Sequence, residues 1–229
     1  MNTIRLDDFI KFLDREITSA VTELNLISEP SRRHLQKLVY TNLVDRFDST
    51  VDHALLDNVL EEPLLSEGIK CLDQPFAEGE ALRYLAGLAD PKQKLVEKLG
   101  AVLRNGLLRE RHAKKARRLC ELMAPEETLN PPRVNPSTGK IIASFKPQNS
   151  KIPCTIQGYS DWLYSRRNAI VHGGGGVNML GNDLIQLKNL YKCDAAKTFK
   201  LSIGSITTAA TFYRDIIGLI QKTSTSRGK

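Results

Sequence analysis

Two long segments with apolar stripes open the chain, and they constrain its fold more than any other feature. In the first, Leu6, Phe9, Ile10, Leu13, Ile17, Ala20, Val21 and Leu24 follow the i, i+3, i+4, i+7 spacing of one helix face. In the second, Leu35, Leu38, Val39, Leu43, Phe47, Val51, Ala54 and Leu55 do the same. Ser28 can cap the second helix, with Pro30 in its first turn, where a missing N–H is harmless. Two such helices with a short connection predict an antiparallel hairpin.

The rest of the chain extends the helical reading. Residues 62–80 are broken by Pro and Gly and predict a loop with short helical pieces. Asp90-Pro91 is a second cap-plus-proline start, continued by Leu95, Val96, Leu99, Val102 and Leu103, with helical pattern as far as Met123. Six of the ten prolines then fall between Pro125 and Pro153. This stretch, with "RVNPSTGKIIASF", predicts an insertion over 124–157, either a small β-hairpin or irregular. "PSTGK" is not a phosphate-binding loop, because Val134 stands where that motif requires its first glycine. A helix is expected over about 158–172, a short strand at "FKLSI", a last helix from near Ser205, and a disordered tail over 223–229. Its inward positions are Ile206, Ala209, Ala210, Tyr213, Ile216, Ile217 and Ile220. No internal repeat interrupts this, so residues 1–229 read as a single, mostly α domain.

Composition narrows the function classes. No apolar run reaches the roughly 18 residues a membrane helix needs, so no membrane partner is expected. The opening "MNTIRLDDFIKF" has acids where a signal peptide has a basic flank, and a cytoplasmic location is expected. The four cysteines lack CxxC spacing and are expected to be free, buried thiols, with no metal site and no cofactor. The net charge of +7 hides an asymmetry: residues 1–90 hold 9 Lys/Arg and 17 Asp/Glu, residues 91–229 hold 24 and 9. The basic part is the part that can meet a polyanion.

That part contains "YSRRNAIVHGGGG", ending at Gly176. Asn168 and His172 are four apart and share a helix face. Arg167 and His172, five apart, point roughly 140° away from each other on an ideal helix. They meet through arginine's length or through a second copy of the helix. Arg166 lies on the stripe of Leu163 and Ile170, with its stem expected inside and its head at the rim. Gly173 occupies a helix C-terminal position, which leaves His172 in the last turn. Histidine can move a proton near neutral pH, and arginine offers a planar fork to phosphate oxygens. Glycines expose backbone N–H groups and admit close approach.

The "RNAIVH" segment resembles the signature of the HEPN superfamily: an arginine and a polar residue, then a histidine near a helix end. The resemblance assigns these roles to Arg167, Asn168 and His172. It implies a compact helical bundle, usually a homodimer. It further implies a metal-independent endoribonuclease in which the ribose 2′-hydroxyl attacks and a cyclic phosphate is left. Many members are toxins or parts of antiphage defence systems, so an antitoxin or defence partner is implied as well. Some toxins of the superfamily carry a modifiable tyrosine two places after the histidine, where this chain has Gly174. That departure puts the corresponding antitoxin mechanism in doubt.

Beside the motif, Tyr164 either lines the site and stacks a base or simply packs, and Trp162 is expected in the core. With Arg166, Tyr164, Gly173 and Gly174, a basic run supplies the candidate RNA contacts: Arg109, Arg111, Lys114, Lys115, Arg117 and Arg118. His112, inside that run, reads as surface, and Asp45, Asp48 and Asp52 read as an acidic solvent face. Two rival functions stay open. One is the same fold without catalysis, binding RNA or a nucleotide. The other is an interaction domain whose basic half docks an acidic partner protein.

Overall fold

The structure, a computed structural model, describes residues 2–72, 78–87, 90–123 and 131–227. Helices α1 (Ile4–Phe12) and α2 (Thr18–Leu24) are joined without a break by a π-helical turn over Leu13–Ile17. Helix α3 (Ser31–Asp57) runs back along them. Asn2 N donates to Asn58 Oδ1 at 2.7 Å, and Arg5 Nε lies 2.9 Å from Asp57 Oδ2, so the start of α1 meets the end of α3. The expected antiparallel hairpin is present. The buried face of α3 differs at its start, where Gln36 and Tyr40 turn inward and Leu38 is half exposed. From Leu43 through Leu55 the apolar stripe is the buried one.

The chain continues through α4 (Leu64–Lys70), α5 (Glu78–Leu85) and α6 (Pro91–Asn105). Asp90 caps α6 as its sequence predicts, accepting from Lys92 N at 2.9 Å, with Pro91 in the first turn. After a 3-10 turn at Leu107–Arg109 come α7 (His112–Met123), α8 (Ile156–His172), α9 (Gly181–Tyr191) and α10 (Ile203–Arg227). Helix α3 is the centre, packed against α1, α7, α8 and α10. A line of rings runs through the core: Phe9 meets Phe47 edge-on at 5.4 Å, and Phe47 stacks on Tyr213 at 4.1 Å. Phe212 and Tyr159 continue it at 4.7 Å. Each of these rings buries a large apolar area, and such edge and stacked geometries suit the ring quadrupoles.

Of the two forms expected for the insertion, the described residues show the irregular one: over 131–155 there is only an isolated bridge, Val134 to Ile141, while 124–130 lie outside the described residues. Its turn is pinned to α10, because Asp215 Oδ2 accepts from Ile141 N at 2.8 Å. Gly139 there has φ +76°, and any Cβ would strike the Thr208 carbonyl, so this glycine serves a close backbone approach and no phosphate loop. "FKLSI" forms no strand; an isolated bridge, Asn178 to Thr198, ties that region together. The assigned tail over 223–229 is helical as far as Arg227, and the last two residues lie outside the described set. Among the described residues no helix is long and apolar enough to cross a membrane.

Part of the charge asymmetry is used within the molecule. Acids of the first part pair with bases of the second: Asp14 with Arg214 at 2.6 Å, Asp45 with Arg167 at 2.6 Å, Asp48 and Asp52 with Lys115, and Glu67 with Arg118. The two parts are complementary surfaces of one fold.

Candidate active site at the end of helix α8

Helix α8 is fixed at both ends by local chemistry. Thr155 caps its start, accepting from Gly158 N at 3.0 Å. At the other end Gly173 N and Gly175 N donate to Ala169 O and Ile170 O, both at 2.9 Å. The second bond closes a Schellman-type turn, which needs its middle residue left-handed. That residue is Gly174, at φ +67°, one place beyond the glycine expected to hold the cap. Lys37 on α3 donates to Gly175 O and ties the turn to the central helix.

His172 is the last residue of α8, exposed beside this turn, and has no hydrogen-bond partner among the described residues. Arg167 and Asn168, about one turn earlier, are held firmly. Arg167 Nε lies 2.6 Å from Asp45 Oδ1, and Nη1 donates to Asn168 Oδ1 at 3.2 Å. Its guanidinium carbon sits 5.5 Å from the centre of the Tyr164 ring. Nη2 has no partner among the described residues, and the side chain is 18% exposed, so one edge of the fork faces outward. Asn168 Nδ2 donates to Asp183 Oδ2 on α9 at 3.3 Å. The fold thus joins Arg167 to Asn168, and no hydrogen bond joins either to His172.

Behind Arg167 lies a polar network that runs through the packing of α3, α7, α8 and α9. Tyr164 stacks flat on His112, with centroids 4.9 Å apart and planes 4° from parallel. His112 is 2% exposed, with Nδ1 2.8 Å from Asp48 Oδ1. Lys115 Nζ sits between Asp48 at 2.8 Å and Asp52 at 2.7 Å. On the α9 side, Arg111 lies 2.7 Å from Asp161 and 3.5 Å from Asp183, and it also bonds Gln186. Burial opposes the charge on Asp48, yet hydrogen bonds and charge from His112 and Lys115 outweigh it and hold the carboxyl below the usual range. Burial likewise opposes the charge on Lys115, and its two carboxylates outweigh that and raise its pKa. Burial pushes the Tyr164 phenol up.

This geometry corrects several expectations. His112 is buried, since its ring fills the space between Phe47 and Tyr164. Asp48 and Asp52 are ion-pair partners of α7 and Asp45 is the partner of Arg167, so these three are no solvent face. Lys115 is 4% exposed and committed to them, so it is not a phosphate contact. The rest of the basic run is largely neutralised in place. Arg111 serves Asp161, Lys114 pairs with Glu110 at 2.9 Å, and Arg117 with Glu121 at 2.7 Å. Arg118 reaches Glu67 and Glu121, and Arg109 donates to Asn105 Oδ1 at 3.2 Å. Arg166 keeps no head at the rim; the whole residue is 5% exposed. Asp183 and Lys37, which hold Asn168 and the glycine turn, carry no sequence signal of that role.

Among the described residues no three His, Cys, Asp or Glu side chains cluster as a metal site. Cys154 and Cys193 are free and buried, Cys120 is buried, and Cys71 is exposed. No family model, curated protein or solved structure matches the chain.

Proposed function

We propose that the chain is a HEPN-type, metal-independent endoribonuclease that acts as a homodimer, in a toxin or antiphage defence setting. The observation that carries this reading is the exposed, unpartnered His172 at the end of α8, about one turn from an arginine whose Nη2 edge is open. His172 takes and returns protons as the ribose 2′-oxygen bonds to phosphorus and the bond to the 5′-oxygen breaks. Arg167 meets the charge that builds on the phosphate oxygens. Asn168, fixed by Asp183, keeps the Arg167 fork oriented. Gly173 and Gly174 let the sugar-phosphate backbone come close to the turn. The 140° divergence of Arg167 and His172 favours a second copy of α8 completing the site.

That no hydrogen bond joins Arg167 or Asn168 to His172 favours a second reading, the same fold as a non-catalytic RNA- or nucleotide-binding partner. The two separate in one assay. Purified protein is mixed with labelled transfer and messenger RNA in EDTA, wild type beside His172→Ala. Fragments with 2′,3′-cyclic phosphate ends from the wild type alone support the nuclease. RNA binding without cleavage by either protein supports the binding module, and cleavage by both removes His172 from the mechanism.

A further inference from the structure

Beside Arg166 a cleft of about 470 Å³, which Arg167 does not line, opens between α8, residues 196–202 and the first turn of α10. Its lining includes three cations, Lys151, Arg166 and Lys200, and no Asp or Glu among the described residues. Arg166 is the unusual member. It is 95% buried by its 5% exposure, yet has no carboxylate partner among the described residues. A buried charge without a counter-charge is costly unless an anion completes it. What holds Arg166 is neutral. The guanidinium lies between Trp162 at 4.7 Å and Phe199 at 4.6 Å, with Tyr40 at 5.3 Å. Nη2 donates to Lys200 O at 3.0 Å and reaches Ser205 Oγ at 3.5 Å. Nε is buried with no partner, as is the Tyr159 hydroxyl, another lining group.

The cleft also holds the positive end of the 25-residue helix α10. Ser205 Oγ accepts from Ser202 N at 3.2 Å, which orders this first turn. The Gly204 amide bonds no described residue, and a Cβ there would meet only Ser202 Oγ at 3.6 Å. Lys151 and Lys200 are exposed and have no ion-pair partner among the described residues.

We propose that this cleft binds a phosphomonoester, with Arg166 and the Gly204 amide donating to the phosphate and Lys151 and Lys200 drawing it in. The source is a free mononucleotide or the 5′-phosphate end of an RNA, which share this chemistry. The site is separate from Arg167 and His172, so it stands or falls independently of the nuclease reading.

Trp162 is the chain's one tryptophan and lies against Arg166, so its fluorescence reports on the cleft. The full chain is titrated at constant ionic strength with inorganic phosphate, with 5′-AMP, and with one short RNA bearing either a 5′-phosphate or a 5′-hydroxyl. Calorimetry runs in parallel. Saturable binding of phosphate and 5′-AMP is expected. A preference for the 5′-phosphorylated RNA assigns the site to RNA ends; tighter 5′-AMP with no such preference assigns it to free nucleotide. Arg166→Gln weakens binding about tenfold or more, the loss of one charge-assisted contact. If Arg166→Gln does not fold, Lys151→Gln with Lys200→Gln decides, since both are surface residues, and it weakens phosphate binding several-fold. The proposal is overturned if neither readout saturates with any probe at about 10 mM, far above useful affinity. Equal affinity in the lysine double variant and the wild type overturns it too.

Discussion

His112 and His172 both stand among arginines in the basic part of the chain, and the fold treats them oppositely. His112 is 2% exposed, stacked on Tyr164, with a carboxylate at 2.8 Å. His172 is exposed at a helix end with no hydrogen-bond partner among the described residues. A buried charge-bearing group has already exchanged water for protein partners, and removing one partner strands the others. An unpartnered group at the surface has made no such exchange and is free to meet a substrate. The difference lies in what packs on top. Helix α3 brings Asp48 and Asp52 onto the basic face of α7, whereas α8 ends in glycines that cover nothing.

Substitutions can break this contrast. The largest effect follows from the proposed nuclease function: there, His172→Ala lowers the rate of RNA cleavage by about 10²–10⁴-fold, as loss of a general acid/base does. Its melting temperature stays at the wild-type value, and a large drop would place His172 in the structural class with His112. Lys115→Met does the reverse. It leaves Asp48 and Asp52 facing each other without their shared ammonium and costs about 2–3 kcal/mol by urea unfolding, the low end for a buried pair because both acids touch water. A loss near zero would mean that the pair is screened like a surface bridge.

The same pair sets a pH dependence. The Asp48 pKa is depressed in the fold, so its contribution is present above about pH 4 and is lost as pH falls through the folded value. The Lys115 pKa is raised, so its contribution is complete below about pH 10.4 and is lost as pH rises through the folded value. Asp52, pushed up by burial, offsets part of the acid loss. Melting curves of wild type and Lys115→Met should converge toward both extremes; a gap that stays constant with pH contradicts the assignment.

Smaller changes sharpen the picture of the turn. Gly174→Ala places a side chain at φ +67° with nothing to strike, so backbone strain alone costs about 1 kcal/mol. Asp45→Asn removes a carboxylate that is 44% exposed and shifts stability by less than about 1 kcal/mol. It also frees Arg167, so RNA binds about two- to fivefold more tightly in a filter-binding assay. Weaker binding would show that Asp45 holds Arg167 in its working position rather than competing with phosphate.

The helical layout was legible because helices announce themselves locally. Leu6 to Leu24 carries its own periodicity, and Asp90-Pro91 its own cap. The motif of Arg167, Asn168 and His172 was legible for the same reason, as a short run on one helix ending in glycine. The partners of that motif were not. Asp45, Asp183 and Lys37 come from other helices, and nothing in their own neighbourhoods marks the contact. Leu38 fits the stripe of α3 yet is half exposed, because no helix packs over it there.

By itself the sequence determined a helical chain, the capped start of α6 and a histidine at a helix end, since these follow from spacing and capping within a few residues; it misplaced the start of α3, where Ser28 makes no cap and the helix begins at Ser31 after Pro30. Tertiary structure decided which charges are spent inside. The acidic first part and the basic second part looked like a surface for a polyanion. Folding apposes them: Coulomb attraction commits Asp48 to Lys115 of α7 at 2.8 Å in a partly dry interior, and the more exposed Asp45 to Arg167 of α8 at 2.6 Å. The same packing leaves His172 in water and Arg166 buried without a counter-ion, because no acid of another helix reaches either one among the described residues.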